Sequence, residues 1–255
     1  MAKKPEGRKL TRKVIVRRLI DGLKPLDYVY AFYEGGAAAF GRIDEWSDID
    51  LYVVADKDRA DDVFAQAEKA LGEVSPVELK FRTPMLPWRG ISQTFYRLEG
   101  TSEFLLVDLA VLECDAPEKF LEPRIHGSPV FYFNKRGGVR QPEWDENAFQ
   151  EKLEGRRQTL SVRFEMFNVF VEKEIKRGNL VEAVEFYRGL VLALLVEALR
   201  LRYSPYHVEF RTRYVQYDLP HDVVERLGRL YFVKDEKDLL QKCHEAVTWF
   251  RELAP

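Results

Sequence analysis

The chain has 255 residues, 46% of them hydrophobic and 32% charged, with a formal net charge of −2. That length fits one large domain or two modest ones, and the balance is that of a folded soluble chain, which excludes a disordered or collagen-like protein. Two cysteines, Cys114 and Cys243, exclude a disulfide scaffold or Cys-rich zinc site, and the longest apolar run, 189–196, is too short to cross a bilayer. In chain order, 11–23 reads as a helix with Val16, Leu19, Ile20 and Leu23 on one face and Pro25 ending it. Residues 28–33, rich in Tyr, Val and Phe, read as a buried strand that stops at Gly35-Gly36. A second strand spans 49–55, and a charged helix runs from near Asp58 to Gly72 with Asp56 or Asp58 as its N-cap. A third strand is expected at 77–82, a hairpin from 92–98 and 104–112 around the turn 99–102, and a short strand at 130–133. Beyond Trp144 the pattern is helical. One helix carries Phe149 through Val171 and stops at Gly178-Asn179, a second runs from Leu180 to Leu201, and two more cover 220–233 and 236–253.

The expected fold class is α+β: a mixed sheet with flanking helices over 1–142, followed by a helical bundle over 143–255. The first residues contain no apolar stretch of the kind a signal peptide needs, so the cytoplasm is the expected location and no membrane partner is expected. Residues 1–24 carry nine Lys or Arg against Glu6 and Asp21, which leaves the remainder acidic. Such an arm could touch nucleic acid, although a solvated face on an N-terminal helix is the favoured reading.

The chemistry concentrates in 33–54, where a strand, paired glycines and an Ala-rich segment lead to a second strand opening with Asp48-Ile49-Asp50. Residues i and i+2 of a strand point to one face, so Asp48 and Asp50 can aim both carboxylates at one spot. Two such carboxylates repel unless a cation lies between them, and hard oxygen ligands suit Mg²⁺. Gly35-Gly36 lets backbone amides come close to a phosphate. A third carboxylate, Asp108, lies in the apolar strand 105–111, where a charge is costly unless it is paired, with Arg42 or Arg82 for instance, or binds a metal. Ligation is the better reading beside the Asp48–Asp50 pair. The glycine spacing of Gly36 and Gly41 imitates a P-loop, but Arg42 and Ile43 stand where Lys and Ser or Thr are needed. The four histidines show no metal-ligand spacing.

Gly35-Gly36 followed by Ser47-Asp48-Ile49-Asp50-Leu51, with Asp108 on a later strand, resembles the nucleotidyltransferase superfamily of DNA polymerase beta and kanamycin nucleotidyltransferase. The helical half, with its tract 210–220, is similar to the acceptor-binding helical domains of antibiotic-type and minimal members. The resemblance implies a nucleotidyltransferase-fold domain in which Asp48, Asp50 and Asp108 are catalytic and hold two Mg²⁺ ions. It also implies that Gly35, Gly36 and Ala37, helped by Arg42, cradle a nucleoside triphosphate such as ATP. Ala37 stands where the family usually has a Ser whose hydroxyl contacts a phosphate. The implied activity moves a nucleoside monophosphate, AMP from ATP, onto a hydroxyl of a small molecule or protein. Acceptor-side candidates are Glu182, Glu185, Tyr187, Arg211, Arg213 and Tyr214. The alternatives are a nucleic-acid nucleotide-adding enzyme, less favoured because the chain beyond the arm is acidic, and a degenerate nucleotide-binding module.

Overall fold

The computed structural model describes residues 10–84, 90–135 and 139–253. The first part of the basic arm, with Lys3, Lys4, Arg8 and Lys9, therefore lies outside the described residues. The chain divides into two units, Met1–Glu143 and Trp144–Pro255.

In the first unit, six strands form one mixed sheet: β1 (Val29–Glu34), β2 (Ile49–Ala55), β3 (Val77–Arg82), β4 (Ile91–Leu98), β5 (Val107–Glu113) and β6 (Val130–Asn134). Their order is β3-β4-β5-β2-β1-β6; β2 and β5 pair in parallel, the other neighbours antiparallel. Strand alternation sorts the side chains. Leu51, Val53, Leu109 and Val111 pack with Ile15 and Leu19 of α1 (Arg12–Leu23) and with Val63, Ala67 and Leu71 of α3 (Ala60–Gly72). The opposite face carries a smaller cluster that includes Tyr33, Val54, Leu112 and Leu121. Between β1 and β2 lies one short helical turn, α2 (Gly36–Ala39), and α4 (Pro123–His126) precedes β6. The expected α+β architecture is present.

Two local expectations change here. Asp58 adopts a left-handed φ of 61° and Arg59 is the N-cap residue of α3, while the Asp56 carboxylate accepts a hydrogen bond from Tyr30 Oη at 2.5 Å. Neither aspartate caps the helix, because each is used in the turn that leads to it. Strand β5 starts at Val107 rather than 104, so the β4–β5 connection is a loop, with a Leu105 N–H bond to Ser102 O at 3.0 Å.

The second unit is helical: α5 (Glu146–Phe167), α6 (Val169–Lys176), α7 (Leu180–Phe186), α8 (Ala193–Tyr203), α9 (Val215–Asp218), α10 (His221–Tyr231) and α11 (Glu236–Leu253). The single helix expected up to Gly178 is broken at Asn168, whose side-chain amide donates to Phe164 O at 2.8 Å and so competes with the backbone ladder. The helix expected from 180 to 201 contains a π-helical turn, Tyr187–Leu192, between α7 and α8. The core gathers Leu153, Phe164, Val171, Tyr187, Leu195, Leu227, Trp249 and Phe250. Among the described residues no helix is long and apolar enough to cross a membrane.

Candidate active site

Asp50 and Asp108 are direct partners in the parallel β2–β5 ladder, so both side chains leave the sheet face that α1 and α3 do not cover. Both are half-buried, whereas Asp48, just ahead of β2, is exposed. One Asp48 carboxylate oxygen accepts the Leu106 N–H at 3.3 Å, which ties the entrance of β2 to that of β5. The lead-in turn is fixed by Asp44, whose carboxylate accepts from Ser47 Oγ at 2.7 Å and from the Trp46 N–H at 3.0 Å. These bonds, the Ser47 hydroxyl first, hold Asp44 below the usual carboxylate range.

The paired glycines bring the β1–α2 turn against this acidic face. Gly35 N–H donates to Asp50 O at 2.9 Å, and Gly36 has a φ of +51°. A Cβ at Gly36 would lie 1.7 Å from Asp50 Oδ2, and one at Gly35 would lie 2.7 Å from the Tyr52 ring. Backbone and carboxylate therefore touch at a point that no other residue type could occupy. Ala37 follows in α2, and its carbonyl accepts the Arg42 N–H at 2.8 Å, folding the segment after α2 back on itself. The Arg42 guanidinium lies over the Phe40 ring, 5.0 Å from its centroid.

Asp108 pairs with neither Arg42 nor Arg82. Arg82 bonds Asp61 at 2.6 Å, and Gln93 Nε2 of β4 donates to both Asp108 oxygens, at 2.7 and 2.9 Å. Burial pushes the Asp108 carboxyl up to about 6; the Gln93 bonds oppose this, and the negative charges of Asp50 and Asp48 reinforce it. The three carboxylates thus sense one another. Among the described residues, however, no group of three or more His, Cys, Asp or Glu closes on one point as a metal cage would. The donor chemistry, three carboxylates beside a glycine turn, suits a hard divalent cation.

Several contributors were not read from the sequence. Glu34, the last residue of β1, is buried, and its carboxylate accepts from both the Arg12 guanidinium and the Tyr132 hydroxyl. Another Arg12 nitrogen donates to Asp48 O at 2.6 Å and to Ser47 O at 3.3 Å. One arginine therefore ties α1, the end of β1 and the backbone carrying Asp48 together. Exposed Trp46 and Phe104 stack edge to face with centroids 5.0 Å apart, on the two segments that meet at Asp48 and Leu106. A charge at the end of an apolar strand was the visible signal for Glu34. Nothing in the sequence distinguished Gln93 from an ordinary strand polar residue.

On the helical unit, Tyr187 is removed from the acceptor-side candidates. It is buried, and its hydroxyl donates to Leu230 O at 3.0 Å. Glu182 and Glu185 are exposed, the latter 3.8 Å from Arg188. Arg213 lies over the Phe210 ring, 4.7 Å from its centroid.

No family model matches the chain, and no curated protein matches it. Among solved structures it is similar to an aminoglycoside 6-adenyltransferase from Bacillus subtilis, at 11% identity and a TM-score of 0.34, over 96% of this chain and 89% of that one. It is also similar to a nucleotidyltransferase-like protein from Exiguobacterium sibiricum, at 14% identity and a TM-score of 0.38, over 96% and 74%. A spectinomycin adenyltransferase from Enterococcus faecialis, solved with ATP and spectinomycin, aligns at 10% identity and a TM-score of 0.37, over 96% and 98%. All three are adenyltransferases or nucleotidyltransferase-like by name.

Proposed function

We propose that the chain is a metal-dependent nucleotidyltransferase that moves AMP from ATP onto a hydroxyl of a small molecule. The observation that carries the reading is the contact between Gly36 and the Asp50 carboxylate, with Asp108 level with Asp50 on the next strand. A phosphate held by the turn amides would face that carboxylate, anion against anion, and such a pair is stable only with a cation between them. Asp48 and Asp50 would hold the cations, joined by Asp108. Bound Mg²⁺ would supply neutralisation of triphosphate charge and of the departing pyrophosphate.

The chain's own residues account for the rest. Gly36 and Ala37 supply amides, and Gly35, whose own N–H is taken by Asp50 O, keeps the approach free of a side chain. The Arg12–Glu34 pair fixes the backbone of Asp48. Asp108, half-buried and level with Asp50, is placed to accept the proton of the attacking hydroxyl. That oxygen then bonds the α-phosphorus as the bond to the bridging oxygen breaks and pyrophosphate leaves. Trp46 and Phe104 offer aromatic surface beside Asp48 for a planar group.

The described part of the basic arm gives the nucleic-acid alternative little support, since Arg12, Arg17 and Arg18 pair with Glu34, Asp21 and Glu73. The test is pyrophosphate release from ATP and Mg²⁺ with a panel of polyhydroxyl small molecules. Acceptor-dependent release that disappears in Asp108→Asn supports the reading. Release that is insensitive to Asp108, or none with any acceptor, counts against it.

A further inference from the structure

The second unit contains a cavity of about 360 Å³ between α5, the π-helical turn, α8 and the 3-10 segment Pro205–Phe210. Its charges do not balance. Arg156 bonds Glu197 at 2.9 Å and also Glu209, and Lys152 lies 3.5 Å from Glu209, so two cations and two anions neutralise one another. Arg163 and Arg211 also line the cavity, and among the described residues neither pairs with a carboxylate. Two exposed arginines without a carboxylate partner thus line one concavity.

Arg211 is held there by the fold. It has φ +53° and ψ −122°, a conformation that L side chains rarely adopt, and Tyr214, three residues on, is also left-handed at φ +65°. Arg200, with no solvent exposure, holds this segment. Its Nε donates to Arg211 O at 2.6 Å, another nitrogen donates to Arg213 O, and a third bonds Asp218 at 2.9 Å. A wholly buried arginine is thus spent on fixing an exposed, strained loop. Strain that the surroundings over-determine in this way concentrates at ligand sites. The floor is apolar at Leu194 and Val208, and Gly189 of the π turn leaves open space where a side chain would stand. Such turns inside helices frequently mark functional positions.

We propose that this cavity binds a small phosphate monoester, its dianion bridging Arg163 and Arg211 and its apolar body lying on Leu194 and Val208. Two uncompensated forks match two negative charges, and planar guanidinium pairs suit phosphate oxygens. The site lies wholly in the helical unit and does not depend on the nucleotidyl-transfer reading.

The test is calorimetric titration of the full chain with phenyl phosphate in low salt, with phenol as the uncharged control. One site is expected for phenyl phosphate and none for phenol. Arg163→Gln and Arg211→Gln should each weaken binding about tenfold or more, the loss of a charge-assisted contact. Gly189→Leu, whose Cβ would meet no atom within 4 Å, should abolish it by filling the cavity. Asp50→Asn, in the other unit, should leave it unchanged. Absence of binding to the wild type, equal binding of phenol, or binding that survives both arginine substitutions would overturn the proposal.

Discussion

Asp108 shows how one side chain couples stability, protonation and function. Its folded value, about 6, lies above its ordinary 3.8. The folded state therefore binds its proton more tightly than the unfolded chain does. The stabilisation from the neutral form is complete below about pH 4 and is lost as pH rises through 6, amounting to up to about 3 kcal/mol. In metal-free protein, Asp108→Asn should flatten that part of the stability–pH curve measured by urea unfolding; an unchanged slope would show that Asp108 is not the titrating group. Ala37→Ser restores a hydroxyl beside the glycine turn. It should tighten Mg²⁺-ATP binding by about tenfold, the scale of one net hydrogen bond to a charged group. Unchanged or weaker affinity in a calorimetric titration would mean that the turn does not hold phosphate as the resemblance implies. The aspartates were visible in the sequence because strand alternation and apolar surroundings mark them. Gln93 was not, because its contact with Asp108 depends on the β4–β5 register, which no local pattern encodes.

Among the elements, the brace formed by Arg12, Glu34 and Tyr132 joins α1 to β1, β6 and the backbone that leads into β2. Glu34 is 2% exposed, so removing its cation leaves a buried, uncompensated carboxylate. Arg12→Leu should cost about 3–5 kcal/mol in urea unfolding. Arg12→Lys should cost less, because it keeps the charge and loses only the fork that also reaches the Ser47 and Asp48 carbonyls. Equal losses in the two variants would remove the charge from the account, and no loss in Arg12→Lys would remove the carbonyl contacts. Most elements were legible from hydrophobic period: 49–55 and 77–82 match β2 and β3 as they stand. The break at Asn168 and the π turn at Tyr187–Leu192 were not, because the apolar spacing continues through both. A local change of backbone hydrogen bonding leaves that spacing nearly intact.

At the scale of the whole molecule, each unit has its own core: Phe32, Leu51 and Leu109 belong to the first, and Phe164, Leu195 and Phe250 to the second. Residues 144–255 expressed alone should therefore fold, with helical circular dichroism and a cooperative melt; a non-cooperative melt would show that the helical core needs the first unit. The central claim is that the glycine turn and the acidic face form one metal-nucleotide site. It is tested most directly by calorimetric titration of a non-hydrolysable ATP analogue, in Mg²⁺ and again in EDTA, into wild type and Asp50→Asn. The account predicts one site in the wild type that requires Mg²⁺ and is lost in Asp50→Asn. Binding that is indifferent to Mg²⁺, equal in the variant, or absent from the wild type would contradict it.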